Sequence, residues 1–111
     1  MLEKICKAEL SDLPDIAALE SEIFSDAWSL KSLEETWNQK NAVIFAAKTE
    51  EKIAGYLIIY YVLDEGEIAR IVTAPSMRRQ GAAGQMFQKL VAFCEEQQIT
   101  RIMLEVREGN E

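Results

Sequence analysis

Hydrophobic positions that recur every three or four residues predict three helices. The first helical segment, DIAALESEIF, follows a start signal in which Ser11 or Asp12 precedes Pro14. The second, LKSLEETWNQ, begins after Ser29, and the third extends to about Gln97. The hydrophobic face of the third helix is predicted to comprise Ala83, Met86, Phe87, Leu90, Val91 and Cys94.

Segments rich in β-branched and aromatic residues predict the strands. Residues 3–9 form a candidate first strand, and AVIFAAKT and KIAGYLIIYYVL form a candidate hairpin around a polar turn at Glu50 and Glu51. A further strand, EIARIVT, ends before Pro75, which cannot donate a hydrogen bond to a sheet. In the last predicted strand, Ile102, Leu104 and Val106 alternate with Met103, Glu105 and Arg107.

The resulting order is β-α-α-β-β-β-α-β, which predicts a mixed α/β fold with at least one strand-helix-strand crossover. At 111 residues and 49% hydrophobic content, residues 1–111 are expected to form a single domain. In such folds a ligand binds where the crossover strand meets its helix.

The amino-acid composition limits which kinds of catalysis, metal site and partner are possible. The chain has no histidine, which excludes Ser-His-Asp and Cys-His catalysis and histidine-based zinc sites, and we expect no metal. A formal net charge of -7 disfavours nucleic acid as a partner and is compatible with a basic protein or peptide. Cys6 and Cys94 belong to no metal or redox motif and are expected to be reduced core residues.

The same reading predicts a cytoplasmic protein with no membrane association. No apolar stretch approaches membrane-spanning length. Glu3, Lys4 and Lys7 interrupt the region where a secretory signal would need continuous apolar residues.

A small-residue turn before the third helix is a candidate anion site. It offers no Ser, Thr, Asp or Asn as a helix cap, so the first backbone N–H groups are predicted to be available to an external anion such as a pyrophosphate. Arg78 adds positive charge, and the alternative is a turn that merely joins strand to helix. The spacing fits neither the Walker loop nor G-x-G-x-x-G. The turn residues are Arg79, Gln80, Gly81, Ala82, Ala83 and Gly84.

The stretch IVTAPSMRRQGAAG resembles the acetyl-coenzyme-A motif of the GCN5-related N-acetyltransferases, with Arg78, Gly81 and Ala83 at its key positions. The order of elements agrees with that family's fold. The resemblance implies that acetyl-CoA is the cosubstrate and that amides from Arg79 to Gly84 hold its pyrophosphate. It also implies that one strand presents its backbone to the pantetheine arm, through Ile71, Val72 and Thr73.

The segment ITRIMLEVREGN is similar to the LEVR-x-x-N segment of the ribosomal-protein-alanine acetyltransferases of that family, the RimI type. The resemblance implies that Glu105 is the general base, that Asn110 contacts the cofactor, and that the acceptor is the N-terminal amine of a ribosomal protein. Chemistry alone allows this role, because a carboxylate in an apolar strand can remove a proton from an α-amino group. The alternative is a solvated carboxylate paired with Arg101 or Arg107.

The sequence ends at Glu111, whereas the family continues with a helix and two strands, including a tyrosine that reprotonates the coenzyme thiolate. Tyr56, Tyr60 and Tyr61 do not match that tyrosine. The resemblance therefore predicts a domain incomplete at its C-terminal end, with an uncovered strand edge that favours self-association or strand exchange. It also predicts that the chain still binds the cofactor although catalysis is lost.

The alternatives to this enzyme function are a different acceptor amine, a non-catalytic or partner-completed cofactor-binding fragment, and an interaction domain.

Overall fold

The computed structural model describes residues 4–50, 52–75 and 81–104. Among these residues, five strands and three helices follow one another in the predicted order, and a 3-10 turn at Leu10–Asp12 precedes the first helix. The strands are β1 (Lys4–Lys7), β2 (Ala42–Lys48), β3 (Ile53–Val62), β4 (Glu65–Thr73) and β5 (Arg101–Leu104). The helices are α1 (Leu13–Ile23), α2 (Leu30–Asn38) and α3 (Ala82–Gln97).

The five strands form one sheet in the order β1-β2-β3-β4-β5. The first four are antiparallel to their neighbours, while β4 and β5 are parallel, with α3 as the crossover between them. This arrangement confirms the predicted mixed α/β fold, including the β2-β3 hairpin. A parallel pair needs such a long connection, since a tight turn can join only antiparallel strands.

The helices cover both faces of the sheet. Tyr56 of β3 hydrogen-bonds to α1, whereas Gly55, one residue earlier, faces α3, as expected from the alternation of side chains along a strand. Leu13, Ile16 and Leu33 are fully buried on the α1 and α2 side. On the α3 side the rings of Phe45 and Tyr61 each pack edge-on against the ring of Phe93.

Local hydrogen bonds set the element boundaries. The strand predicted for residues 3–9 ends earlier, at Lys7, because the Glu9 N–H donates to the carboxylate of Asp12 at 2.8 Å and the chain turns. Pro14 lies in the first turn of α1, as predicted. Ser29 caps α2, and its hydroxyl accepts a hydrogen bond from the Ser32 N–H at 3.1 Å.

The buried face of α3 differs from the predicted one. Met86, Leu90 and Cys94 are buried as expected, but Ala83, Phe87 and Val91 are exposed. A helix lying on a sheet buries a narrow stripe, and side chains one position away border that stripe without entering it. The residues of α3 in the core are Ala82, Met86, Leu90, Phe93 and Cys94.

Strand β5 lacks the predicted alternation, because all four of its residues are exposed. Ile102 and Leu104 are 40% and 48% exposed, little less than Met103 at 57%. Among the described elements β5 packs mainly on β4, so neither of its faces is covered by a described helix.

A charged network is buried between α1 and the sheet. The Glu20 carboxylate, fully buried, accepts hydrogen bonds from the Tyr56 hydroxyl, the Trp28 N–H at 3.0 Å and Arg70 Nε at 3.0 Å. An Arg70 terminal nitrogen lies 2.8 Å from the same carboxylate. Burial, followed by the hydrogen bond to Glu20, raises the pKa of Tyr56 above its ordinary value.

Replacing Tyr56 by Phe is expected to destabilise the fold by about 1–3 kcal/mol at pH 8, because a buried Glu20 oxygen loses its donor. Since the pKa of Tyr56 is raised in the folded state, its contribution is complete below pH about 10 and is lost as the unfolded chain ionises above that pH. The stability gap between the two proteins should therefore narrow by about 1.4 kcal/mol between pH 8 and pH 11. Chemical denaturation at pH 8 and pH 11 measures it, and a gap that stays constant or widens contradicts the assignment.

Candidate functional site

The candidate site lies between the end of β4 and the start of α3. The Ala74 N–H donates to the Ala54 carbonyl at 2.7 Å, which extends the β3-β4 contact past the end of the strand to Pro75. The next described residue is Gly81, directly before α3. Arg78, Arg79 and Gln80, predicted to contribute charge and amides to the turn, lie outside the described residues.

The first turn of α3 is open. Gly81 adopts a left-handed conformation with φ of 82°, and no side chain among the described residues caps the helix. Gly81, Ala83 and Gly84 are exposed, while Ala82 is buried and holds the turn against the core. A Cβ placed on Gly84 would meet no atom within 4 Å. The helix dipole adds partial positive charge at this helix start, which favours an anion there.

The strand beside this turn holds the three residues predicted to contact a pantetheine arm. Ile71 and Thr73 are half-buried, and Val72 is buried opposite Tyr56 in the β3-β4 register. Their cross-strand partners on β3 are defined up to the pair Gly55 and Thr73. The strand is therefore fixed along one edge by β3.

The other edge of β4 is only partly covered by described residues. The parallel register with β5 begins at Glu65 and Arg101 and is described as far as Ile68 and Leu104, while β4 continues to Thr73. Glu105 follows Leu104 directly in sequence. Glu105 and Asn110, the predicted base and cofactor contact, both lie outside the described residues.

A glycine that the sequence analysis did not single out brings β3, β4 and α3 into close contact. A Cβ on Gly55 would lie 2.4 Å from the Val72 carbonyl oxygen and 3.3 Å from the Met86 methyl group. A side chain here would collide with the backbone of β4, while the Met86 side chain would have to give way slightly. The available signal was a lone glycine inside a strand, which marks a close backbone approach.

A β-bulge in β4 was also not predicted from the sequence. Ile59 pairs with Ile68 and Ile58 pairs with Arg70, so Ala69 is an extra residue in β4. One extra residue reverses the alternation of faces, and Arg70 is directed toward α1 instead of α3. No hydrophobic pattern in EIARIVT identifies this bulge.

Other chemistry is limited in the described part of the chain. Within residues 4–50, 52–75 and 81–104, no three His, Cys, Asp or Glu side chains come together as metal ligands would. Burial raises the pKa of the Cys94 thiol, which disfavours the nucleophilic thiolate. None of the described helices combines the length and apolar character needed to cross a membrane.

Comparison with known proteins identifies close relatives in sequence and fold. A Bacillus subtilis (strain 168) protein, provisionally named a ribosomal protein bS18-alanine N-acetyltransferase, is 28% identical over 102 residues, covering 91% of this chain and 68% of that protein. The Escherichia coli (strain K12) ribosomal protein bS18-alanine N-acetyltransferase is 27% identical over 109 residues, covering 98% and 73%. The crystal structure of the Escherichia coli ribosomal-protein-S18-alanine N-acetyltransferase superposes with a TM-score of 0.85 at 27% identity, covering 99% of this chain and 70% of that one.

The fold is shared more widely than the sequence. An aminoglycoside 6'-N-acetyltransferase from Acinetobacter baumannii superposes with a TM-score of 0.81 at 19% identity, covering 96% of this chain and 81% of that one. At this identity the likeness concerns the fold alone. The family model of the acetyltransferase (GNAT) family matches residues 13–111, which include both β4 and α3. The chain therefore belongs to the acetyltransferase (GNAT) family.

Proposed function

We propose that this acetyltransferase transfers the acetyl group of acetyl-CoA to the N-terminal α-amino group of a basic protein, with a ribosomal protein as the favoured acceptor. One observation carries the proposal: α3, the next described helix or strand after β4, begins at a left-handed Gly81 with no cap among the described side chains. The GNAT family supports acetyl transfer. The names of the relatives at 27% and 28% identity support a ribosomal protein as acceptor.

In this proposal the backbone does most of the cofactor binding. Amides from Arg79 to Gly84 hold the pyrophosphate, and Arg78 and Arg79 add positive charge. The open space at Gly84 and the left-handed Gly81 support this role, because both permit a bulky anion to approach the helix start. The backbone of Ile71–Thr73 lies beside the pantetheine arm, and Asn110 contacts the cofactor.

Acetyl-CoA supplies an activated acetyl thioester, so the protein needs a base and an electrostatic aid but no nucleophile of its own. Glu105 accepts a proton from the acceptor's ammonium group, directly or through water, and the neutral amine then attacks the thioester carbonyl. The C–S bond breaks, and coenzyme A leaves as a thiolate that takes a proton from solvent. A backbone N–H near Val72 stabilises negative charge on the thioester oxygen. The burial of Val72 supports this role, because a donor in a dry environment stabilises charge more strongly. No metal is required.

The choice of a ribosomal protein as acceptor rests on the net charge of this chain and on the names of its relatives. A net charge of -7 attracts a basic polypeptide over a distance set by ionic strength. Ribosomal proteins are such polypeptides, and an enzyme that modifies them would act in the cytoplasm. Acetylation of a small polyamine with no acetylation of a peptide would instead favour a different acceptor amine.

We also propose that the chain as given self-associates through β5, where Ile102, Met103 and Leu104 are exposed. An apolar strand at the edge of the described sheet is a surface on which a second copy can pair.

Coenzyme A is expected to bind in an isothermal titration, with an affinity that falls as salt concentration rises. Arg79→Ala should weaken binding by about tenfold, the loss of one charge-assisted phosphate contact. Lys89→Ala is the matched control, because Lys89 is an exposed cation on α3, two turns from the helix start. Absence of coenzyme binding by the unchanged chain, or equal losses in both variants, contradicts the cofactor assignment.

Glu105→Gln should reduce acetylation of a short basic peptide beginning with alanine by about 10²-fold or more, since general-base catalysis supplies gains of that order. Its coenzyme affinity should not change. Mass spectrometry of the peptide measures the transfer, and Glu95→Gln, which neutralises an exposed carboxylate on α3, serves as the comparison. If Glu105→Gln retains full activity, another group is the base.

Light scattering across a concentration series should detect dimers or larger species of the unchanged chain. Met103→Lys should shift the population toward monomer, because a charged side chain on an edge strand opposes pairing. Val91→Lys places the same charge on an exposed position of α3 and should have no such effect. A monomer at every concentration refutes association through β5.

A further inference from the structure

We propose that a pocket at the far end of α3 from the candidate site binds a small aromatic acid, that is, a planar ring carrying an acidic group. The pocket has a volume of about 360 Å³, lies between the ends of α2 and α3 and the strands β1 and β2, and is called the lysine pocket below. This inference goes beyond the proposed function and does not depend on it. The lining of the lysine pocket includes Lys7, Trp37, Lys40, Tyr61, Phe93 and Gln97.

The lysine pocket is separate from the residues proposed to bind acetyl-CoA. Phe93 follows Ala82 by 11 residues, and a helix rises about 1.5 Å per residue, so the two positions are about 16 Å apart along α3. Tyr61 lies next to the β3-β4 turn, whereas the opposite end of β3 pairs with Thr73. A molecule in the lysine pocket would therefore be a second ligand, bound at the other end of the sheet.

Two lysines give the pocket a charge opposite to that of the whole chain. The Lys7 ammonium group lies 5.4 Å from the centre of the Phe93 ring, and Lys40 lies in the connection between α2 and β2. Neither lysine forms an ion pair with a described carboxylate, and no Asp or Glu is among the described residues that line the pocket. In a chain with a net charge of -7, a concave surface of this kind attracts an anion.

Three aromatic side chains supply the apolar part of the pocket. Phe93 is buried, Tyr61 is half-buried, and Trp37 is 37% exposed. The Tyr61 and Phe93 rings pack edge-on with their centroids 5.3 Å apart. Aromatic side chains pack well against a flat ring, and the ammonium groups beside them can bind an acidic group on that ring. The lining therefore favours a ligand that carries both features.

Hydrogen bonds to the backbone hold the aromatic lining in place. The Trp37 Nε1–H donates to the Ala8 carbonyl at 2.8 Å, and the Tyr61 hydroxyl donates to the Lys40 carbonyl at 3.0 Å. The Tyr61 N–H also donates to the Asn41 carbonyl at 2.9 Å. Because these bonds fix the two rings without using either ammonium group, a ligand would need to order little more than the lysine side chains.

The volume of the pocket sets the size of the test ligand. Pockets for small molecules begin at about 300 Å³, so the lysine pocket suits one or two fused rings and is too small for a folded domain. Indole-3-acetate, which joins a planar double ring to a carboxylate, is the probe. Acetate supplies the acid without the ring, and indole-3-ethanol supplies the ring without the acid.

The isotope-labelled chain is titrated with each compound at fixed ionic strength, and its backbone amide resonances are followed by nuclear magnetic resonance. We expect indole-3-acetate to shift amides of residues 40–44 and 93–97 and to leave those of residues 81–86 unchanged. Acetate and indole-3-ethanol should each bind at least about tenfold more weakly than the probe.

Substitution of the lysines tests the charge requirement. The double variant Lys7→Met/Lys40→Met should bind indole-3-acetate about tenfold more weakly, the order expected for the loss of two partly exposed ion pairs. Both lysines are exposed, so the variant should keep its thermal unfolding transition. Lys31→Met is the matched control, because it removes an exposed lysine of α2 that does not line the pocket.

Four outcomes would overturn the inference. They are the absence of shifts in the pocket amides at about 10 mM probe, shifts centred on the start of α3, equal binding of indole-3-ethanol, and equal weakening by Lys31→Met. In the first case the two lysines would serve only the ends of α2 and α3, where cations are favourable. A chain that binds indole-3-acetate in the lysine pocket but binds no coenzyme A supports this inference and refutes the proposed function.

Discussion

The candidate site depends on an unmet requirement of helix geometry: the first N–H groups of an α-helix have no carbonyl partner within the helix. Most helices satisfy these groups with a side chain, as Ser29 does for α2. At α3 the corresponding position is Gly81, which offers no acceptor and turns the backbone into the left-handed region. Among the described helix starts, α2 has a side-chain cap whereas α1 and α3 have none, and α3 follows the crossover strand, where ligands of α/β proteins bind.

Strand β4 connects the start of α3 to the rest of the sheet. Its first half pairs with β5, its whole length pairs with β3, and its end leads toward the turn before α3. Gly55 allows Met86 and the Val72 carbonyl to approach each other on one face. The Ala69 bulge sends Arg70 to the opposite face, into contact with Glu20. Strand β4 is thus held by contacts on both faces of the sheet.

Much of the fold was predictable, because the order of elements follows from hydrophobic spacing and a few strong local signals. Pro14 and Ser29 marked the helix starts, and the two long apolar strands indicated the hairpin. The buried face of α3 was less accessible to prediction, since Ala82 and Ala83 are chemically identical and only packing decides which one enters the core. The bulge at Ala69 arises from a register between two strands, which the sequence of one strand does not encode.

The candidate site was also predictable only in part. The uncapped turn was predicted from residue types alone, and the structure places Gly81–Gly84 at an open helix start. Glu105 and Asn110 came from a resemblance, and they stay predictions. The Glu20, Tyr56 and Arg70 network was not foreseen, because its members are separated by 36 and 50 residues from Glu20 and meet only after the helices have docked on the sheet.

The exposure of β5 has a consequence for local stability. β3 lies between two partners and is largely buried, whereas β5 is held mainly by a short parallel ladder with β4. Opening free energies follow buried contacts, so protection should decline across the sheet from the centre toward β5. Strand β4 is paired with β3 along its length, so the two strands of the parallel pair should open at different free energies, with β5 opening before β4.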